Sequence, residues 1–223
     1  NWAPYRIHQI IPPEIDPAHA TMIITWRETL STTMRLGIRE GDRVLVIGSG
    51  GNGLAFTAHA AYEGADPIVM IGSARRESAA RQAGATGYVD YKLENVDVQL
   101  TALAPGGFDY VIDAVGKTHT ADRVLPHLAP GGTLTIYGID DYAGCELHPI
   151  QAPGTFTLFK GGYDEAEAHD AVVQRTMDGD LDASLWLGLD HVFELQEIGA
   201  AIEAVRQRRM VKALVRLNPA ASP

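Results

Sequence analysis

The chain has 223 residues, 46% of them hydrophobic and 21% charged, with a formal net charge of −10; this is the make-up of an ordinary globular protein, with length for one large domain or one domain and part of another. So acidic a surface repels phosphate backbones, which sets nucleic acid aside as a partner, and no run of about 18 apolar residues is present to span a membrane. Cys145 is the sole cysteine, so there is no disulfide framework and no cysteine-rich zinc site, and a reducing cytoplasm fits.

No secretory leader is read at the start. The first residue is Asn1 rather than Met, as in a processed chain or one cut from something longer. Residues 1–40 predict a short strand near "RIHQII" and a helix near 18–36. From there, short apolar runs rich in β-branched residues alternate with segments of helical spacing. "RVLVIGS" (43–49), "PIVMIGS" (67–73), "GYVDY" (87–91), "FDYVIDAV" (108–115) and "GTLTIYGI" (132–139) read as buried strands. Segments 51–63, 75–83, 94–103 and 117–128 read as the helices between them. Such alternation predicts an α/β fold, a parallel sheet covered on both faces. Turn chemistry marks the joins: "REGD" precedes the first strand and "APGG" the fourth and fifth. Later come a sixth strand at "TFTLFKGG", a helix from about Asp164, "DHVFEL" (190–195), a helix over 196–208 and a last strand "VKALVRL" (211–217).

Gly48-Ser49-Gly50-Gly51-Asn52-Gly53 has the G-x-G-x-x-G spacing. Alone that is weak, but here it ends a strand and opens a helix inside a βαβ unit. Gly48 permits the tight turn, Gly50 lets backbone approach a pyrophosphate, and Gly53 lets helix and strand pack closely. The helix N-terminus then offers free N–H groups and a positive dipole end to the anion.

About 20 residues past these glycines, an NAD-binding domain carries an Asp or Glu that accepts from the ribose hydroxyls. Here that place holds Gly72, followed by Ser73, Arg75 and Arg76. Without the carboxylate a 2′-phosphate is not repelled; Ser73 can donate to it and both arginines can pair with it. "GSARR" thus reads as an NADP pocket, the rival being two arginines in a solvated first helical turn, where they oppose the dipole. "DAVG" (Asp113 to Gly116) and "YGID" (Tyr137 to Asp140) end the fourth and fifth strands at the carboxyl edge, where open α/β sheets bind ligands. Backbone groups of Ala114, Val115, Gly116, Gly138 and Ile139 could hold a nicotinamide ribose and carboxamide there, or could be plain strand ends.

The set "GIREGDRVLVIGSGGNG", "RQAGATGYVDY", "FDYVIDAVG", "LAPGGTLTIYG" and "HVFELQEIGAAIEAVRQRRMVKALVRL" resembles the medium-chain dehydrogenase/reductase superfamily, relatives of zinc alcohol dehydrogenases and quinone reductases. The resemblance runs from about residue 5 to 217. It implies a Rossmann doubly wound sheet of order 3-2-1-4-5-6 over residues 19–163, with 1–18 ending a catalytic lobe. Residues 164–223 would supply the last Rossmann helix and the carboxyl-terminal remnant of that lobe. Family members carry some hundred further residues at the amino end, with the Cys and His-Glu zinc motifs of the zinc branch. A remaining zinc ligand of the family aligns near Ile24, and neither Ile23, Ile24 nor Thr25 is a good one, so no zinc is expected in this chain.

His59 reads as packing or surface, Asp164 with Glu167 as a capping box, and Asp140 and Asp141 as loop solvation. Trp26, Arg27 and Glu28 are candidates to line the cleft, and no general base is named. The resemblance implies an NADP-dependent oxidoreductase passing a hydride between NADPH and a carbonyl or alcohol, or an activated double bond, of a small molecule. This stretch alone would bind NADPH and turn substrate over slowly or not at all. The alternative is a non-catalytic NADP(H)-binding module, a redox sensor or scaffold. The family also implies a homodimer joined along the edge strand near 155–161, through Phe156 and Leu158 or Thr157 and Phe159.

Overall fold

Val44–Ile47 contains no polar side chain, and all four residues are buried. A strand covered on both faces must be apolar throughout rather than alternating. In the computed structural model, which describes residues 8–217, this strand, β1, lies at the middle of a parallel sheet. Its neighbours are β2 (Ile68–Gly72) and β4 (Phe108–Asp113), with Val46 opposite both Met70 and Ile112. With β3 (Gly87–Asp90), β5 (Leu128–Ile136) and β6 (Thr157–Phe159), the order is β3-β2-β1-β4-β5-β6, as the family resemblance implies.

Alternate residues of each strand serve opposite faces. Val44, Val46, Ile68 and Met70 face one core, and Leu45, Ile47, Val69 and Ile71 face the other. The first core is roofed by α2 (Ile23–Leu36), α3 (Gly51–Tyr62), α4 (Glu77–Gln82) and α7 (Glu165–Met177), with Trp26, Leu30, Phe56 and Val172 buried in it. The second is covered by α5 (Val96–Leu103) and α6 (Thr120–Val124). The chain returns through β7 (Phe193–Glu194), α8 (Ile198–Arg206) and β8 (Val215–Arg216); β7 and β8 pair in parallel. Ala201 and Ala204 of α8 pack on Phe193 in a small third cluster.

Several elements differ from expectation. Residues 8–11 are not a strand, and Arg6 and Ile7 lie outside the described residues. The helix predicted over 18–36 is two, α1 (Pro17–Ala20) and α2; the Thr21 hydroxyl donates to the Ala18 carbonyl where the first ends. The 117–128 segment winds only over α6, followed by a 3₁₀ turn at Leu125–His127 that includes Pro126. The second "APGG" lies inside β5: the register shifts between Phe108 and Tyr110, so Pro130 and Gly131 bulge from the ladder. Asp164 does cap α7, accepting from the Ala166 N–H. Glu167 does not complete a capping box; it holds Arg35 at 2.7 Å and Ser31 at 2.5 Å.

His59 sits fully buried on α3, its Nε2 3.2 Å from the Trp26 carbonyl and 3.1 Å from the Thr29 hydroxyl. That hydroxyl already donates to the Thr25 carbonyl, so Nε2 carries the proton. Burial, reinforced by the charge of Arg175, pushes the His59 pKa down to about 3. The unfolded chain therefore takes up a proton near pH 6.5 that the folded chain refuses until about 3. Stability is expected to be full above pH 6.5 and to fall below it by up to about 1.4 kcal/mol per pH unit from this group. Urea unfolding of wild type and His59→Gln between pH 7 and 4.5 checks it; an equal pH slope in the two would refute the assignment.

Candidate functional site

At the end of β1 two glycines meet constraints that a side chain would not tolerate. Gly48 has φ of 105°, which L residues rarely adopt. A Cβ on Gly53 would lie 1.8 Å from the Gly48 carbonyl oxygen, so α3 presses directly on the turn. A Cβ on Gly50 would meet nothing within 4 Å: the turn is open on its outer side. The N–H groups in the first turn of α3 have no intrahelical acceptor and offer themselves at this edge. Two side chains from the last third of the chain close on the same spot. Trp186 donates from Nε1 to the Gly51 carbonyl at 2.8 Å. Lys212 lays its methylenes against Gly51 and donates from Nζ to Thr25 Oγ1 at 3.1 Å. Burial lowers the Lys212 pKa, and the charge of Glu28 partly restores it.

Gly72, ending β2, is crowded by two side chains. A Cβ there would fall 2.3 Å from the Tyr88 hydroxyl and 2.4 Å from Ser49 Oγ. Tyr88 donates to the Ser73 carbonyl at 2.6 Å, and the Ser73 N–H to Ser49 Oγ at 3.2 Å. Residues Ala74–Arg76 form a 3₁₀ turn ahead of α4. Arg75 is exposed, whereas Arg76 is half-buried and donates from Nη2 to the Met210 carbonyl at 2.5 Å.

The ends of β4 and β5 are zipped together. Buried Asp113 accepts from the N–H groups of Val115 (2.9 Å) and Gly116 (3.0 Å) and from the Thr120 hydroxyl (2.6 Å). Its carbonyl accepts from the N–H groups of Tyr137 and Gly138. Asp140 and Asp141 donate backbone N–H groups to the Val115 and Gly116 carbonyls. A Cβ on Gly138 would sit 2.0 Å from the Val115 carbonyl carbon, so these two loops touch backbone to backbone.

Beside them opens a cleft of about 430 Å³ whose lining includes Asn52, Ala114, Val115, Gly138, Ile139 and Glu28. Each Glu28 carboxylate oxygen accepts one phenol at 3.0 Å, from Tyr137 and from Tyr163. Burial and then the Glu28 charge raise the pKa of both tyrosines, keeping them protonated donors. Trp26 and Arg27, the other cleft candidates, are buried instead: Trp26 stacks edge-on against Trp186, and Arg27 pairs with Glu165 at 2.6 Å. The side chain of Tyr142 lies outside the described residues. Among the described residues no three His, Cys, Asp or Glu side chains gather as a metal set, and no helix is long and apolar enough to cross a membrane.

The sequence profile of the family described as zinc-binding dehydrogenase matches residues 51–159. L-galactonate-5-dehydrogenase of Escherichia coli (strain K12) is 27% identical over 94% of the chain and 62% of its own length. NADP-dependent isopropanol dehydrogenase of Clostridium beijerinckii is 31% identical over 83% of the chain and 56% of its own. These matches support the medium-chain dehydrogenase/reductase superfamily. The solved structure of alcohol dehydrogenase TADH from Thermus sp. ATN1, 24% identical, superposes on 93% of this chain and 62% of its own with a TM-score of 0.82, which is a likeness of fold. The chain thus spans less than two thirds of the length of these relatives.

Within this dehydrogenase/reductase fold, the residues singled out from the sequence fall along one edge. Asn52, Ala114, Val115, Gly138 and Ile139 line the cleft. Gly48, Gly51, Gly53 and Gly116 shape its backbone, with Gly50 open above the turn. Ser49, Gly72 and Ser73 join β1 to β2, next to Arg75 and Arg76. Sequence reasoning missed Lys212 and Trp186; a lysine inside the apolar run "VKALVRL" was the one available signal for the former.

Proposed function

We propose that the protein is an NADP-dependent oxidoreductase that transfers a hydride between NADPH and a carbonyl or alcohol, or an activated double bond, of a small molecule. The observation that carries the reading is the N-terminus of α3, with open space above Gly50 and the Lys212 cation beside it. Those groups fit a pyrophosphate, through backbone N–H donors and one positive charge. At the β2 end, Ser73, Arg75 and Arg76 face no aspartate or glutamate at position 72 and would take a 2′-phosphate. The name of the Clostridium beijerinckii relative supports the same choice of cofactor. Ala114, Val115, Gly116, Gly138 and Ile139 would hold the nicotinamide half against the β4 and β5 ends. The bound cofactor supplies the hydride. The chain orients it and, with the Tyr137 and Tyr163 side walls, keeps that end of the cleft partly dry.

In this reading residues 19–163 form the dinucleotide-binding unit, flanked by 1–18 and 164–223 as parts of a catalytic lobe. No zinc resides in the chain, since Ile23, Ile24 and Thr25 offer no ligand where the family aligns one. Two copies would join along β6, whose outer edge has no neighbouring strand among the described residues and whose Leu158 is exposed.

NADPH is expected to bind at least about tenfold tighter than NADH, since one charge-assisted bond contributes about 1.5–3 kcal/mol. Arg75→Ala with Arg76→Ala should weaken NADPH and leave NADH nearly unchanged. Fluorescence titration decides both, and equal affinities for the two cofactors in the wild type would remove the reading. Elemental analysis of the purified protein should find no stoichiometric zinc; one tightly held zinc per chain defeats that part. Light scattering at micromolar concentration should give a dimer that Leu158→Pro disrupts, and a wild-type monomer counts against the β6 interface.

A further inference from the structure

Arg208 closes helix α8 in the left-handed region, at φ 59°. Its N–H donates to the Val205 carbonyl and that of Arg209 to the Ala204 carbonyl, a helix ending in which glycine is the unstrained residue. An arginine held in that conformation points to a task for its side chain. The side chain crosses to the far end of the large sheet. Nη1 donates to the Tyr91 hydroxyl at 2.9 Å, and the guanidinium carbon lies 5.9 Å from the centre of the Tyr91 ring. Tyr91 follows β3, and its own N–H bonds the Gly72 carbonyl at 3.1 Å. Arg208 therefore stands at the β2 end, where Gly72, Ser73, Arg75 and Arg76 lie.

The turn carrying Arg208 is tied to that edge by the bond from Arg76 to the Met210 carbonyl. The two guanidiniums are close enough for Arg208 to help burial lower the pKa of Arg76. Among the described residues, none of Arg75, Arg76 and Arg208 has a carboxylate within ion-pair distance, although the chain as a whole carries a net charge of −10. Arg81, a little further along α4, does pair with Glu77. Uncompensated cations gathered in an acidic chain await an anion from outside.

We propose that Arg208 is a ligand of the cofactor's 2′-phosphate, reaching it from the carboxyl-terminal turn across the sheet edge. This rests on the NADP reading above and extends it. The exposed guanidinium presents further N–H donors beside the Tyr91 hydroxyl, a match for phosphate oxygens. The turn from Arg208 to Lys212 then spans the groove: Arg208 meets the 2′-phosphate at one end and Lys212 stands by the α3 N-terminus at the other. Cofactor choice is in this way read by the end of the chain as well as by "GSARR".

The test uses Arg208→Gly, which relieves the left-handed strain, so the melting temperature should hold or rise. Calorimetry on the full chain compares 2′,5′-ADP with 5′-AMP, which differ only in the 2′-phosphate. The variant should bind 2′,5′-ADP about tenfold more weakly and 5′-AMP as before, and Arg208→Lys should keep part of the preference. Wild-type protein binding the two nucleotides equally would overturn the NADP reading and this inference with it. A wild-type preference for 2′,5′-ADP that Arg208→Gly leaves intact would overturn the role of Arg208 alone.

Discussion

Helix α3 meets the end of β1 through bare backbone: a Cβ on Gly53 would lie 1.8 Å from the Gly48 carbonyl oxygen, and Gly48 itself needs a positive φ. Because the helix comes that close, its first-turn N–H groups are held at the carboxyl edge of the sheet rather than above one of its faces. The contact also sets the floor on which the end of the chain rests. Trp186 bonds the Gly51 carbonyl and Lys212 lies flat on Gly51, so the glycines admit two side chains from more than 130 residues away. Bulk at Gly53 would separate the helix from the strand, and bulk at Gly51 would push Lys212 and Trp186 away.

Charge is arranged along this edge against the overall balance of the chain. The net charge is −10, yet Arg75, Arg76, Arg208 and Lys212 collect from the β2 end to the α3 N-terminus. The helix dipole adds a positive end of its own. In a protein so acidic elsewhere, the local field at the groove is the part suited to drawing in a polyanionic small molecule. Farther along, the sign reverses. Glu28 sits in the cleft by the β4 and β5 ends, its two oxygens held by Tyr137 and Tyr163. The groove is thus polarised along its length.

Asp113 plays a quieter part. Buried, it accepts two backbone N–H groups and a hydroxyl, and its carbonyl takes two more N–H groups from the start of the neighbouring loop. A buried carboxylate is tolerable only when so fully bonded. The result is that two loops, each free to wander if considered alone, form one surface.

The strands were legible from the sequence because each is a short apolar run bounded by turn residues, a local pattern that burial on both faces imposes; their order came from the family resemblance. The glycine turn was legible for a related reason: at Gly48 the backbone conformation and at Gly53 backbone crowding favour glycine, so the constraint is written into the residues themselves. Gly72 was legible in part: the missing carboxylate is plain in the sequence, while the Tyr88 and Ser49 atoms that crowd a side chain there were invisible. The approach of Arg208 to Tyr91, of Arg76 to Met210, and of Lys212 and Trp186 to Gly51 was decided by tertiary structure alone. Those contacts join residues between 117 and 161 positions apart in the chain, and they depend on where the α8 turn is set down after the sheet has formed. An exposed arginine or a lysine in an apolar run carries no local pattern that says which distant atoms it will meet, so only the folded arrangement could reveal it.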